Sequence, residues 1–224
     1  MEYNVALNTC PVPAGILLII GGKEDKGDKK EDKDESREEI LKTFIGLITK
    51  ESPCIEIITS GSDEGEAMFE DYRKVFEGLN ATNLRHIHHK ERHEIIEDDL
   101  TERVNKADAF FLTGGDQLMF TSLYGGSKFL MQLKERYIKD NIVIAGTSAG
   151  AMALSTPMIY SGSKDQQELT GEIKITMGLE FLKDVCIDTH FIDRQRFIRM
   201  AQVIATNPTA VGLGIEEDTA IIIN

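Results

Sequence analysis

Basic residues are scarce in this chain: 25 Lys and Arg stand against 38 Asp and Glu, giving a formal charge of −13. The deficit argues against nucleic acid or an anionic membrane as the main partner, since both are bound through cationic side chains, and it favours a cationic or guanidinium-bearing substrate. Cysteine is scarcer still. Cys10, Cys54 and Cys186 are odd in number and far apart, so they form neither a disulfide framework nor a zinc set. Long apolar runs are missing as well. The run Gly15 to Ile20 is too short to span a bilayer, and Met1 to Pro13 lacks the basic stretch of a secretory leader. The expectation is a cytoplasmic protein. What is present, 224 residues with 41% hydrophobic content, suits one α/β domain with a substantial core.

Gly15 to Ile20 is apolar throughout, as a strand covered on both faces must be, and ends in Gly21-Gly22. Lys23 to Glu39 is almost entirely charged and is expected to begin as a mobile loop. It leads into a helix through Ile40, Leu41, Phe44, Ile45 and Ile48. A strand at Cys54 to Thr59, a helix carrying Met68, Tyr72, Val75, Phe76 and Leu79, and a short strand at Arg85 to His88 follow. Ala109 to Thr113 is a strand ending in Gly114-Gly115, and Leu118 to Tyr137 is mainly helix. Beyond a strand at Ile142 to Ala145, Val185 to His190 is another, and a helix runs from about Ile192 to Thr206. Ala210 to Ile215 and Ala220 to Ile223 read as a β-hairpin with Glu217-Asp218 at its turn; the last apolar run reaches the terminus, as if the protein continued. Strands alternating with helices predict an α/β sandwich with a mostly parallel central sheet, whose ligands bind at the carboxyl ends of the strands.

Gly146-Thr147-Ser148-Ala149-Gly150 places a serine between glycines where an apolar strand gives way to a helix, the pattern of a nucleophile elbow. The Ala149 N–H would point at a developing oxyanion, joined by an N–H of Gly115 or Asp116 from the double-glycine turn. A serine needs a base. His86, His88, His89 and His93 lie in a charged segment without helical ligand spacing and read as a solvated face rather than a metal site. His190 stands alone at the end of a strand, on the same sheet edge as Ser148. Arg194, Arg196 and Arg199 lie beyond it, three guanidinium groups within six residues, and suit bidentate capture of substrate carboxylates, against which stands salt-bridging to local acids. Gly21-Gly22-Lys23-Glu24-Asp25 is neither a Walker loop nor a dinucleotide fingerprint, and reads as a further edge loop.

Four blocks, in order, resemble the cyanophycinase family, the serine exopeptidases of peptidase group S51. They are Ile20-Gly21-Gly22 with Glu24-Asp25-Lys26, Leu112 to Gln117, Gly146 to Ala151, and Asp188 with His190-Phe191, Arg194, Arg196 and Arg199. The resemblance runs from about Gly15 to the end of the chain. It implies a fold similar to class I glutamine amidotransferases, flavodoxin-like in outline, and a homodimer without metal or organic cofactor. The implied reaction is hydrolysis of cyanophycin, a polyaspartate bearing arginine on each side chain, to β-aspartyl-arginine dipeptides. Carried over by motif, Ser148 is the nucleophile, His190 the base, and Gln117, Asp188, Arg194, Arg196 and Arg199 line the substrate site. The family places the third triad member beyond the elbow helix, which selects Glu168, with Asp165 behind it and Asp188 as a substitute. Thr189 stands where the motif has glutamine, and the charged Lys23 to Glu39 stretch exceeds the family norm. An α-aspartyl dipeptidase and a catalytically silent sensor of aspartyl or arginyl ligands are the competing readings.

Overall fold

The computed structural model describes residues 12–26, 38–161 and 173–224. In chain order the elements are β1 (Ile16–Ile20), α1 (Glu39–Leu47), β2 (Ile55–Ile58), α2 (Gly65–Gly78), β3 (Leu84–Ile87), α3 (Arg92–Glu97), α4 (Thr101–Lys106), β4 (Ala109–Leu112), α5 (Gln117–Tyr124) and α6 (Lys128–Lys139). There follow β5 (Val143–Thr147), α7 (Ala149–Ala153), β6 (Ser155–Thr156), β7 (Met158–Ser161), β8 (Lys174–Thr176), β9 (Leu182–Lys183), β10 (Val185–Thr189), α8 (Phe197–Thr206), β11 (Val211–Ile215) and β12 (Ala220–Ile223). The principal sheet has the order β12-β1-β5-β4-β2-β3, parallel throughout except for β12, which runs antiparallel to β1.

Both faces of that sheet are covered, which is why its central strands are apolar without alternation. Successive residues serve opposite layers. Phe111 of β4 packs with Phe44 of α1 at 5.2 Å between ring centroids and with Phe76 and Tyr72 of α2 at 5.4 and 4.8 Å. Its neighbour Phe110 joins Val104, Phe120 and Leu133 of α4, α5 and α6 on the other side. Burying each such ring is worth roughly 1.5–3 kcal/mol. Glu56 is the exception, a carboxylate buried on β2, and Arg103 of α4 reaches it with Nε at 3.1 Å and Nη2 at 2.5 Å. An interior charge persists only with such a partner.

Three sequence expectations change. The helix expected over Leu118 to Tyr137 is two, since Gly125 ends α5 and the Ser127 side chain caps α6 by accepting from Leu130 N at 3.2 Å. Helices α3 and α4 follow in the charged segment, with only His93 of the four histidines on a helix; α3 opens with a capping box between Glu91 and Glu94. The expected hairpin does not exist. β11 pairs in parallel with β10 in a second sheet, β11-β10-β6-β9, while β12 crosses to β1 of the first. The segment 216–219 therefore bridges two sheets. Cys10, Asp165, Glu168 and most of the charged 23–39 stretch lie outside the described residues. No helix among the described residues is long and apolar enough to cross a membrane.

Candidate active site

Ser148 sits between β5 and α7 with φ 52 and ψ −115, a conformation that non-glycine residues rarely adopt and that marks a strained elbow. The turn can form because its flanks are glycines. A Cβ at Gly150 would lie 2.3 Å from the Leu112 carbonyl oxygen, and one at Gly146 would lie 2.7 Å from that of Gly150. Helix α7 thus packs against β5 at Gly146 and against the end of β4 at Gly150 at distances no side chain allows, and the serine is held at the carboxyl edge with its N–H on the Ile20 carbonyl at 3.1 Å.

His190 follows β10, is 5% exposed, and donates its backbone N–H to the Gly21 carbonyl at 3.0 Å. Its Nε2 lies 2.9 Å from Ser148 Oγ, and its Nδ1 lies 2.6 Å from Glu217 Oε1. A carboxylate can only accept, so the proton is assigned to Nδ1 and the Nε2 lone pair faces the serine hydroxyl. Glu217 lies on the segment between β11 and β12. The Lys23 ammonium, 2.8 Å from the same Oε1, and the imidazole behind it hold this carboxyl below the usual carboxylate range.

The double-glycine turn after β4 lies beside the serine: a Cβ at Gly114 would be 3.7 Å from Ser148 Cβ. Of the two oxyanion donors expected there, Asp116 is engaged elsewhere. Its N–H donates to the Gly61 carbonyl at 2.7 Å, and its side chain caps α5 through Leu118 N at 2.8 Å. Gly115 is left as the candidate from this turn. Ala149 is the first residue of α7, where helix geometry leaves an N–H without an intrahelical acceptor.

The arginines divide. Arg196 Nη1 lies 2.8 Å from Asp188 Oδ1, and Arg199 grips the same carboxylate with Nε, 2.5 Å from Oδ2, and with Nη2. The Asp188 side chain is fully buried. Arg196 also donates to the Thr189 carbonyl at 2.8 Å, and burial pulls its guanidinium below the ordinary arginine value. The carboxylate these two meet is therefore the chain's own, contrary to the expectation of free grips for substrate. By the same contacts Asp188 is not the partner of His190. Arg194 remains exposed, in the turn before α8. Gln117, opening α5, donates Nε2 to the Ile159 carbonyl at 2.8 Å.

The remaining histidines bond to protein groups. His86 Nε2 and His88 Nδ1 share the Thr59 hydroxyl at 2.7 and 3.0 Å, His89 meets Tyr124 and Asp98, and His93 faces Glu91. Among the described residues no group of three or more His, Cys, Asp or Glu side chains is placed to hold a metal ion. Burial pushes the Cys186 thiol up to about 12 and raises that of Cys54, which makes both poor nucleophiles. Glu217 is the site residue that sequence reasoning missed. Its nearest signal was the acidic run Glu216-Glu217-Asp218 between two apolar runs.

A family model, peptidase family S51, matches residues 18–224. Curated relatives called cyanophycinase include those of Geminocystis herdmanii, 31% identical over 92% of this chain and 73% of that protein, and of Trichormus variabilis, 30% identical over 98% and 71%. That of Synechococcus elongatus is 30% identical over 92% of this chain, which spans 61% of the relative's length. Among solved structures, a peptidase from an acI-B1 actinobacterium superposes with a TM-score of 0.66 at 21% identity, covering 95% of this chain and 84% of that one. A putative peptidase E protein from Listeria monocytogenes gives 0.58 at 17% identity, covering 95% of each. These two share the mostly parallel, helix-flanked fold. Matched by the family model over nearly its whole length, the chain belongs to peptidase family S51 and is a serine peptidase.

Proposed function

We propose that this chain is a serine exopeptidase that hydrolyses cyanophycin to β-aspartyl-arginine dipeptides, with Ser148, His190 and Glu217 as its triad. The observation that carries the reading is the unbroken line of contacts from Ser148 Oγ to His190 Nε2 at 2.9 Å and from Nδ1 to Glu217 at 2.6 Å. In this mechanism the imidazole takes the hydroxyl proton as Oγ attacks the scissile carbonyl, and Glu217 stabilises the resulting imidazolium without itself becoming protonated. The N–H groups of Ala149 and Gly115 hold the oxyanion. His190 then returns the proton to the leaving amine, and water releases the acyl group by the same route.

On the substrate side, Arg194 supplies the free guanidinium for a carboxylate. Gln117 keeps its side-chain oxygen available to a donor, while Asp188, Arg196 and Arg199 shape the wall as one fixed unit. The relatives named cyanophycinase support the polymer as substrate. The net charge of −13 suits a guanidinium-rich one. A single folding domain, the homodimer and the cytoplasmic location expected from the sequence belong to the same proposal; limited proteolysis, sedimentation and fractionation check them. Incubation with purified cyanophycin, with product masses as readout, tests the activity. Release of β-aspartyl-arginine is the expected result. Turnover of α-aspartyl dipeptides alone would assign the enzyme to them instead, and no turnover of either would leave a ligand sensor.

A further inference from the structure

The loop after β1, Gly21 to Asp25, touches every member of the proposed triad. The Gly21 carbonyl accepts the His190 N–H at 3.0 Å, and the Ile20 carbonyl just before it accepts the Ser148 N–H at 3.1 Å. The Gly22 carbonyl takes the Asp218 N–H at 2.9 Å, and the Asp25 N–H donates to Asp218 Oδ1 at 3.1 Å, so the loop also holds the segment that carries Glu217. Gly22 has φ 102, and a Cβ there would stand 2.6 Å from His190 Nε2, so the backbone passes directly against the imidazole. Lys23 follows with φ 48, a left-handed conformation rare for a side-chain-bearing residue. What holds it is its neighbour. The Glu24 carboxylate, 5% exposed, accepts from the Thr147 hydroxyl at 2.6 Å and from that of Tyr72.

We propose that Lys23 is a positioning residue of the triad, delivered by this loop: its ammonium shares Glu217 Oε1 with His190 Nδ1 and so limits how strongly that carboxylate stabilises the imidazolium. The inference rests on the Ser-His-Glu reading above. The two distances to Oε1, 2.8 Å from Lys23 and 2.6 Å from His190, put two donors on one oxygen. Each partner supports the other's charge, since Lys23 lowers the Glu217 carboxyl and Glu217 raises the Lys23 ammonium. The pair therefore stays charged while an imidazole titrates. Other charges near this pair are Glu216 and Asp218, on either side of Glu217, and Asp193 and Arg194 from the turn after β10. All four persist when Lys23 alone is changed.

With the ammonium removed, protonated His190 gains the whole of Glu217 and loses a neighbouring positive charge. The inactive, protonated enzyme then persists to higher pH. Profiles of kcat/KM against pH for the parent, Lys23→Met, Lys23→Arg, Glu217→Gln and the Lys23→Met, Glu217→Gln double variant test this. Expected is an acid limb displaced upward by about half a pH unit in Lys23→Met, the size of an exposed ion pair. Lys23→Arg keeps the parental limb, and Lys23→Met displaces the limb by less once Glu217 is glutamine, because only the direct repulsion between ammonium and imidazolium is then removed. An unmoved limb in Lys23→Met overturns the proposal. So does a rise in KM that survives in the Glu217→Gln background, because Lys23 would then be touching substrate. Parental turnover in Glu217→Gln alone would defeat the triad reading itself and is distinguishable from either result.

Discussion

Asp188 and Glu217 are two carboxylates at the same end of the molecule, each with two cationic or titratable partners, and their surroundings give them opposite roles. Asp188 is fully buried and faces two guanidinium groups that never lose their charge, so nothing in its environment can change during a reaction. Glu217 is 19% exposed and faces an imidazole whose charge comes and goes in the proposed mechanism, plus one ammonium at the rim. The first acts as a structural peg, since removing one side of a buried pair leaves the other uncompensated. The second can respond to a proton. Burial and the titration range of the partner, not the carboxylate itself, separate structural from chemical duty.

Removing the group on which that proton chemistry acts has the largest expected effect. Ser148→Ala keeps the elbow and should lower turnover by roughly four orders of magnitude or more, with thermal unfolding close to the parent. Next comes the peg. Asp188→Asn should cost about 3–5 kcal/mol in a denaturant titration because two guanidinium groups lose their counter-charge, whereas Glu217→Gln should leave stability nearly unchanged. Equal stability losses at the two positions would erase the distinction between them. The smallest effect sharpens the division among the arginines. Arg194→Lys should weaken binding of an aspartyl substrate by about 1.5 kcal/mol, roughly tenfold in KM, without altering stability. A silent Arg194 variant would remove it from the substrate site.

The legibility of this site follows the range of the contacts that build it. Ser148 announces itself locally, because the glycines that let α7 approach β5 and β4 lie two residues to either side. His190 is legible for a related reason, as a histidine at the end of an apolar strand. Glu217 is not, since its position depends on β11 joining β10 while β12 joins β1, and neither pairing is written in the residues between them. Two apolar runs around an acidic turn look like a hairpin when the partners are distant. The arginine cluster misled differently. Asp188 follows Val185-Cys186-Ile187 on a buried strand, and a carboxylate there needs cations; Arg196 and Arg199 supply them. Helices α5 and α6 were separable in principle, because Gly125-Gly126-Ser127 carries both a stop and a cap.

The assignment of Glu217 to His190 is the claim on which the account turns, and paired kinetics on Glu217→Gln and Glu168→Gln with an aspartyl substrate test it most directly. The account predicts a loss in kcat of about 10⁴-fold for Glu217→Gln, as when an imidazole loses the carboxylate that fixes its tautomer, and activity within about twofold of the parent for Glu168→Gln. The reverse pattern, with Glu168→Gln inactive and Glu217→Gln close to the parent, would contradict it.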